Sequence, residues 1–336
     1  MKIDSLPVLV LNPYSRCNCR CTMCDIWKTT ARQELNDADF ERLVQSIRDL
    51  KVEWVVFSGG EPMMHSNLWR LCEVVRRERV RITLLSSGLL LARKAHQIVD
   101  HVDDVIVSLD GPPQVHDSIR GVPGAFDMLA AGVENIRTLR SAFSISARCT
   151  VQRSNFRHLN ATVEAARTLR LDSISFLAAD LESTAFHRPE VWPFEKQNQI
   201  GLAAAELDLL EAQIETLIGQ GDCGRFVVES PEKLRRIARH FRVQLKQEPA
   251  ISPTCNAPWT SAVVEADGSV RPCFFHPPVG NLRSGKSLTE IVNGPEATAF
   301  REALNVAENP VCQRCVCSLN WKSAEPLVQV AAEQFG

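Results

Sequence analysis

Short apolar runs recur along the first half of this chain, and between them apolar residues fall three and four positions apart. The runs at 8–12, 54–58, 81–86, 105–109, 144–151 and 173–178 are rich in Val, Ile and Leu, which predicts strands. Between the first two, Phe40, Leu43, Val44, Ile47 and Leu50 form an i, i+3, i+4, i+7 stripe, with Asn36 or Asp37 placed to cap a helix. Further helical segments fit near 67–79, 92–101, 124–140 and 158–170. Strands alternating with helices in this way predict a parallel sheet with right-handed crossovers, and such folds keep their chemistry in loops at the C-terminal strand ends. Residues 181–203 carry Pro189 and Pro193 and no clear period, so they read as a loop or connector. Helical period returns over 204–219, with Leu207, Leu210, Ile214, Leu217 and Ile218 on one face. Near the C-terminus, Val263-Val264-Glu265 and Ser269-Val270-Arg271 flank Ala266-Asp267-Gly268, a hairpin-turn signal.

Composition narrows the class. A chain of 336 residues holds one large domain and a small one. The net charge of −2 and the single Tyr give no basic, aromatic face for nucleic acid. No apolar run reaches the roughly 18 residues that span a bilayer, and the N-terminus does not read as a signal peptide. Twelve cysteines without a secretion signal point to metal sites in a reducing, cytoplasmic setting rather than to disulfides. Their clustering agrees: four fall in 17–24 and five in 255–317, whereas Cys72, Cys149 and Cys223 stand alone and read as core or incidental thiols.

Cys17, Cys21 and Cys24, spaced x3 and x2, follow the first strand. Such a trio suits a zinc knuckle, scattered core thiols, or three corners of a four-iron, four-sulfur cube whose fourth iron stays open. Arg16 and Arg20 flank these thiols and favour the thiolate form; Cys19 falls between motif positions. Gly59-Gly60-Glu61-Pro62 follows the second strand, where Gly-Gly lets backbone come close to a ligand. Alone it is a common turn. Ser108-Leu109-Asp110-Gly111 follows the fourth strand and continues to His116-Asp117, which read as loop, and to Arg120-Gly121.

Together these motifs resemble the radical S-adenosylmethionine (SAM) superfamily. The resemblance covers roughly 8–180 and 250–318 and implies an α/β fold, a partial (β/α)6 TIM-like barrel with a small C-terminal cysteine-rich β-hairpin domain of the SPASM/twitch type. It divides the chain into a core barrel over 1–203, a helical connector over 204–249, an auxiliary cluster domain over 250–320 and a tail over 321–336. In such a barrel Cys17, Cys21 and Cys24 hold a [4Fe-4S] cluster that binds SAM. Gly59, Gly60 and Glu61 meet the methionine amino group, Ser86 and Ser108 line the SAM pocket, Arg148 pairs with the SAM carboxylate, and Leu177 touches adenine. Met23 stands where the family usually has an aromatic residue. Cys255, Cys273, Cys312 and Cys315 match a twitch-like module with one auxiliary [4Fe-4S] cluster, with Cys317 as spare or substitute for Cys315; four thiolates also suit structural zinc.

The activity this implies is reductive cleavage of SAM to a 5′-deoxyadenosyl radical, hydrogen abstraction from a substrate, and net oxidation through the auxiliary cluster. An electron donor such as flavodoxin or ferredoxin is the expected partner. The family's peptide-modifying members commonly carry a recognition domain before the barrel, and seven residues precede the first strand here, so a small-molecule substrate is preferred over a peptide. Asp180 and His187, past the sixth strand, are the acid–base candidates. The rival readings are a non-catalytic iron–sulfur electron carrier and a nucleic-acid-binding zinc protein. They predict no productive SAM site and a basic face, respectively.

Overall fold

The structure is a computed structural model, and it describes residues 2–322; residues 323–336 of the expected tail lie outside the described part. Six strands, β1 (Val8–Leu11), β2 (Trp54–Phe57), β3 (Arg81–Ser86), β4 (Asp104–Ser108), β5 (Ser144–Val151) and β6 (Ser173–Ala178), lie side by side in chain order and all run parallel. Right after them in sequence come the helices α1 (Asp37–Asp49), α2 (Leu68–Arg77), α3 (Leu91–His101), α4 (Pro113–Arg120) with α5 (Ala125–Leu139), and α6 (Leu159–Thr168). The sheet stays open, as a partial barrel does. Its β6 edge is covered where the backbone of Phe226 and Val228 bonds Ile174 on both sides. Pairing an edge in this way removes unpaired backbone groups that would otherwise template aggregation.

β1 and β2 are apolar at every position because both faces are buried. Leu9, Leu11, Val55 and Phe57 face the helices, whereas Val8, Val10, Trp54 and Val56 pack inside against Ala257, Val263, Leu319 and Trp321. At the start of α1, Asn36 and Asp39 exchange side chain-to-backbone bonds at 3.0 Å each, a reciprocal cap.

Three features lie beyond the sequence pattern. The stretch holding His116 and Asp117, read as loop, is helix α4, opened by Pro113 and closed by the left-handed Gly121. A short helix, α7 (Phe194–Ile200), occupies part of the 181–203 connector, ahead of α8 (Ala204–Gly219) and α9 (Pro231–Gln244). The hairpin of β7 (Ser261–Val264) and β8 (Ser269–Arg271), followed by β9 (Gly280–Asn281), joins the main sheet: β7 runs parallel to β1, with Val8 opposite Ser261. Barrel and hairpin therefore share one sheet, and the C-terminal cysteines are brought over the barrel mouth. No helix among the described residues is long and apolar enough to cross a membrane.

Candidate functional site

The loop after β1 is fixed mainly through its backbone. Asn12 N–H donates to Val264 and its side-chain amide to Glu265, tying the loop's start to the hairpin. Arg20 N–H donates to Arg120 O at 2.8 Å and Thr22 N–H to Ile119 O at 3.0 Å, so the end of α4 grips the loop on either side of Cys21. Two glycines permit this approach. A Cβ on Gly60 would lie 2.0 Å from Arg16 O, and one on Gly121, whose φ is +64°, would lie 2.8 Å from Arg20 O. The Gly-Gly turn is thus first a seat for the cysteine loop.

Above the strand ends opens a cavity of about 330 Å³, lined by Cys17, Cys19, Cys21 and Cys24 from the loop. Gly59, Gly60, Ser86, Ser108, Arg148 and Leu177 line it as well. The sheet register explains their meeting: Ser86 is paired with Val107 one residue before Ser108, Ser108 is paired with Arg148, and Leu177 with Thr150. From the other side come Cys255, Cys273, Cys312, Cys315 and Cys317. Both cysteine clusters, more than 200 positions apart in sequence, therefore border one chamber.

Arg120 and Arg148 bring two guanidinium groups to the chamber wall. The Cys19 thiol donates to Cys21, and together with the Arg120 guanidinium it draws Cys21 down to about 7 despite burial. Burial pushes Cys24 and Cys273 up to about 12 and Cys312 up to about 11. These are properties of the free thiols; a bound metal deprotonates its ligands. Burial also pulls the Arg148 guanidinium below its ordinary range, opposed by Cys317 and Glu229, while its Nε donates to Ser175 Oγ at 3.2 Å.

Several expected residues are placed differently. Glu61 is fully buried and turned from the cavity. Its carboxylate accepts from Ser86 Oγ, from Ser87 N–H and Oγ at 2.8 and 2.7 Å, and from Met63 N–H, and burial raises its pKa. It locks the second strand's turn to the third rather than offering a carboxylate to a ligand. Asp180 borders the cavity, but its carboxylate grips the buried Arg188 at 2.6 Å and accepts from Ser183 Oγ. His187 lies outside the cavity lining, on a left-handed turn with φ +58°, and meets Thr29 at an exposed site. The structure does not join Asp180 and His187 into an acid–base pair; the first anchors a loop and the second faces away. Two residues that carry no local signal of a role meet the cysteines: Arg120 Nη1 lies 3.5 Å from Cys21 Sγ, and His276 Nε2 lies 3.5 Å from Cys312 Sγ. In the sequence, His276 is marked only by its place three residues after Cys273.

The donor set fits the group expected. Four loop thiols, Cys17, Cys21 and Cys24 among them, border an open cavity beside backbone and hydroxyl groups able to receive an amino-acid moiety, and further thiols stand across from them.

Comparison with known proteins agrees with this geometry. Residues 11–164 match the family model of the radical SAM superfamily, and residues 255–316 match that of an iron–sulfur cluster-binding domain, SPASM. Fe-coproporphyrin III synthase of Methanosarcina barkeri is 28% identical over 52% of this chain and 44% of its own length. PqqA peptide cyclase of Gluconobacter oxydans is 28% identical over 50% of this chain and 48% of its own. The chain thus matches these curated relatives over about half their length or less. The crystal structure of Streptococcus suis SuiB bound to precursor peptide SuiA superposes with a TM-score of 0.66 at 14% identity, covering 94% of this chain and 72% of that one, which establishes a shared fold.

Proposed function

Because the chain belongs to the radical SAM superfamily and carries a C-terminal SPASM domain, with the [4Fe-4S] and SAM chemistry those domains imply, we propose that it cleaves SAM reductively and oxidises a small-molecule substrate. The observation that carries this reading is the single chamber bordered by both cysteine clusters and by the strand-end residues. When bound, the cube and SAM would supply the one-electron, hydrogen-abstracting chemistry of the family. The chain's part is to hold and orient. Cys17, Cys21 and Cys24 hold the cube. The Gly59–Gly60 backbone meets the methionine amino end, Ser108 donates its hydroxyl, Ser86 lines the pocket with its own hydroxyl given to Glu61, Arg148 answers the carboxylate and Leu177 packs on adenine. Cys255, Cys273, Cys312 and Cys315 hold the auxiliary cluster, and four ligands leave it closed to substrate, which suits electron transfer. Cys317 borders the same space and is the alternative to Cys315. A donor such as flavodoxin or ferredoxin supplies the electron. The division of labour is a barrel over 1–203, a helical connector over 204–249 and a cluster domain over 250–320.

Phe186, Phe274 and Phe275 form an aromatic group on the chamber wall, with ring centroids 5.0–6.5 Å apart, and favour a substrate with an apolar reacting part. The name of Fe-coproporphyrin III synthase supports the small-molecule reading. Peptide modification is the second reading, favoured by the named peptide cyclase and by the peptide-bound SuiB fold. The test is anaerobic reconstitution of wild type and a Cys17/Cys21/Cys24→Ala variant. Wild type should hold about eight irons and eight sulfides, as two cubes require, and form 5′-deoxyadenosine with reductant and SAM. The variant should keep about half the iron and form none. Full iron retention or activity in the variant overturns the assignment.

A further inference from the structure

Among Cys17, Cys21 and Cys24, Cys21 is held differently from the other two. Arg120, the last residue of α4, is buried and directs Nη1 at Cys21 Sγ from 3.5 Å. Its backbone accepts from Arg20 N–H, and that of Ile119 accepts from Thr22 N–H, so the residues before and after Cys21 are both bonded to the helix end that carries the guanidinium. Arg120 itself has little freedom. Its Nη2 lies 2.5 Å from Asp110 Oδ2, and Asp110 is fixed in turn: Oδ1 accepts from Thr150 N–H and its carbonyl from Asn155, both at 2.9 Å. Cys17 Sγ instead accepts from the neutral Cys19 N–H at 3.5 Å. Near Cys24, Arg188 directs its hydrogens to oxygens of Asp180, Ser183 and Met23.

We propose that Arg120 is a positioning residue that raises the reduction potential of the cube held by Cys17, Cys21 and Cys24, acting through Cys21. The proposal rests on the assignment of those three thiols made above. Reduction adds one electron, and therefore one negative charge, to the cube and its thiolates; no proton moves and no bond breaks. A guanidinium N–H aimed at a ligand sulfur binds the more negative state more tightly, and hydrogen bonds to cluster sulfurs are a recognised lever on potential. Burial keeps the charge unscreened. Asp110 neutralises the pair at long range, but it also orients the guanidinium so that its second arm points at Cys21.

The experiment is an EPR-monitored redox titration of the full, anaerobically reconstituted chain against a one-electron reductant, following the cluster signal that SAM perturbs. Arg120→Gln removes the charge and Arg120→Lys keeps it but cannot reach both Asp110 and Cys21. The Gln variant should lower the equilibrium constant for reduction about tenfold, ~59 mV for one electron, with the Lys variant shifted less in the same direction. A SAM-sensitive signal with wild-type potential in Arg120→Gln overturns the proposal while leaving the cluster assignment standing. Where the Gln variant fails to load iron, the Lys variant decides, and a wild-type potential there overturns it equally. Wild-type signals that SAM leaves unmoved overturn the cluster assignment itself, and the proposal with it.

Discussion

Replacing Gly60 by Ala tests whether the Gly-Gly turn is a seat for the cysteine loop. The backbone of Gly60 lies outside the left-handed region, so Ala brings no conformational strain and the effect is steric alone. Its Cβ would sit 2.0 Å from Arg16 O and 2.6 Å from Arg16 C, where ordinary contact begins at 3.4 Å. Restoring contact requires the loop to retreat by about 1.4 Å, the difference between 3.4 and 2.0 Å. The obstacle is backbone, which cannot rotate away as a side-chain tip can. The 3.0 Å bond from Glu61 N–H to Arg16 O would break, leaving partners unsatisfied at about 1–3 kcal/mol. Cys17 follows Arg16 directly, so its sulfur moves with the loop. We expect Gly60→Ala to lose most of the SAM-sensitive cluster signal and about half the total iron, with the auxiliary cluster retained. Iron analysis and EPR of the anaerobically reconstituted protein read this. Gly219→Ala is the control: nothing lies within 4 Å of its Cβ, and Ala in a helix should add stability, by about 0.5–1 kcal/mol. Full iron and an unaltered SAM-sensitive signal in Gly60→Ala would refute the reasoning.

Arg188→Ala should destabilise the 180–192 loop by about 3–5 kcal/mol, since it strands the buried Asp180 carboxylate and removes a guanidinium 3.7 Å from the Trp192 ring. Hydrogen exchange should show this loop opening, and unchanged protection there counts against the anchor role. Glu229 is buried, and desolvation pushes its carboxyl up to about 7 from 4.5. Between those values the folded chain holds a proton that the unfolded chain releases, so stability falls as pH rises through this window, by up to about 3 kcal/mol. Glu229→Gln should flatten that fall in denaturant titrations at pH 5 and pH 8; an equally steep dependence in the variant rules Glu229 out as its source. Cys273→Ala should spare 5′-deoxyadenosine formation and depress product per SAM cleaved once a substrate is in hand. An equal yield, in a variant whose fold is checked, would make the auxiliary cluster structural.

The sequence by itself determined the elements and made the cysteine and glycine motifs stand out, because those signals are local. Apolar runs placed β1 to β6 within a residue or so, and the stripe from Phe40 to Leu50 with its Asn36 cap marked α1. The spacing of Cys17, Cys21 and Cys24 and the Gly59–Gly60 turn stood out for the same reason. Ala266-Asp267-Gly268 marked the hairpin, whose Gly268 takes φ +82°. Only the tertiary structure decided what these elements face. Nothing in Ser261–Val264 distinguishes a separate hairpin from a seventh parallel strand beside β1, since backbone pairing is blind to sequence distance. A carboxylate's partner is equally invisible: Glu61 turned inward to Ser86 and Ser87, and Asp180 was taken by Arg188. Arg120 reads as an ordinary charged residue at a helix end until the fold brings it to Cys21, 99 positions away. Burial and pairing depend on contacts between distant segments, and these set which polar groups are used up in holding the chain and which remain turned toward the chamber.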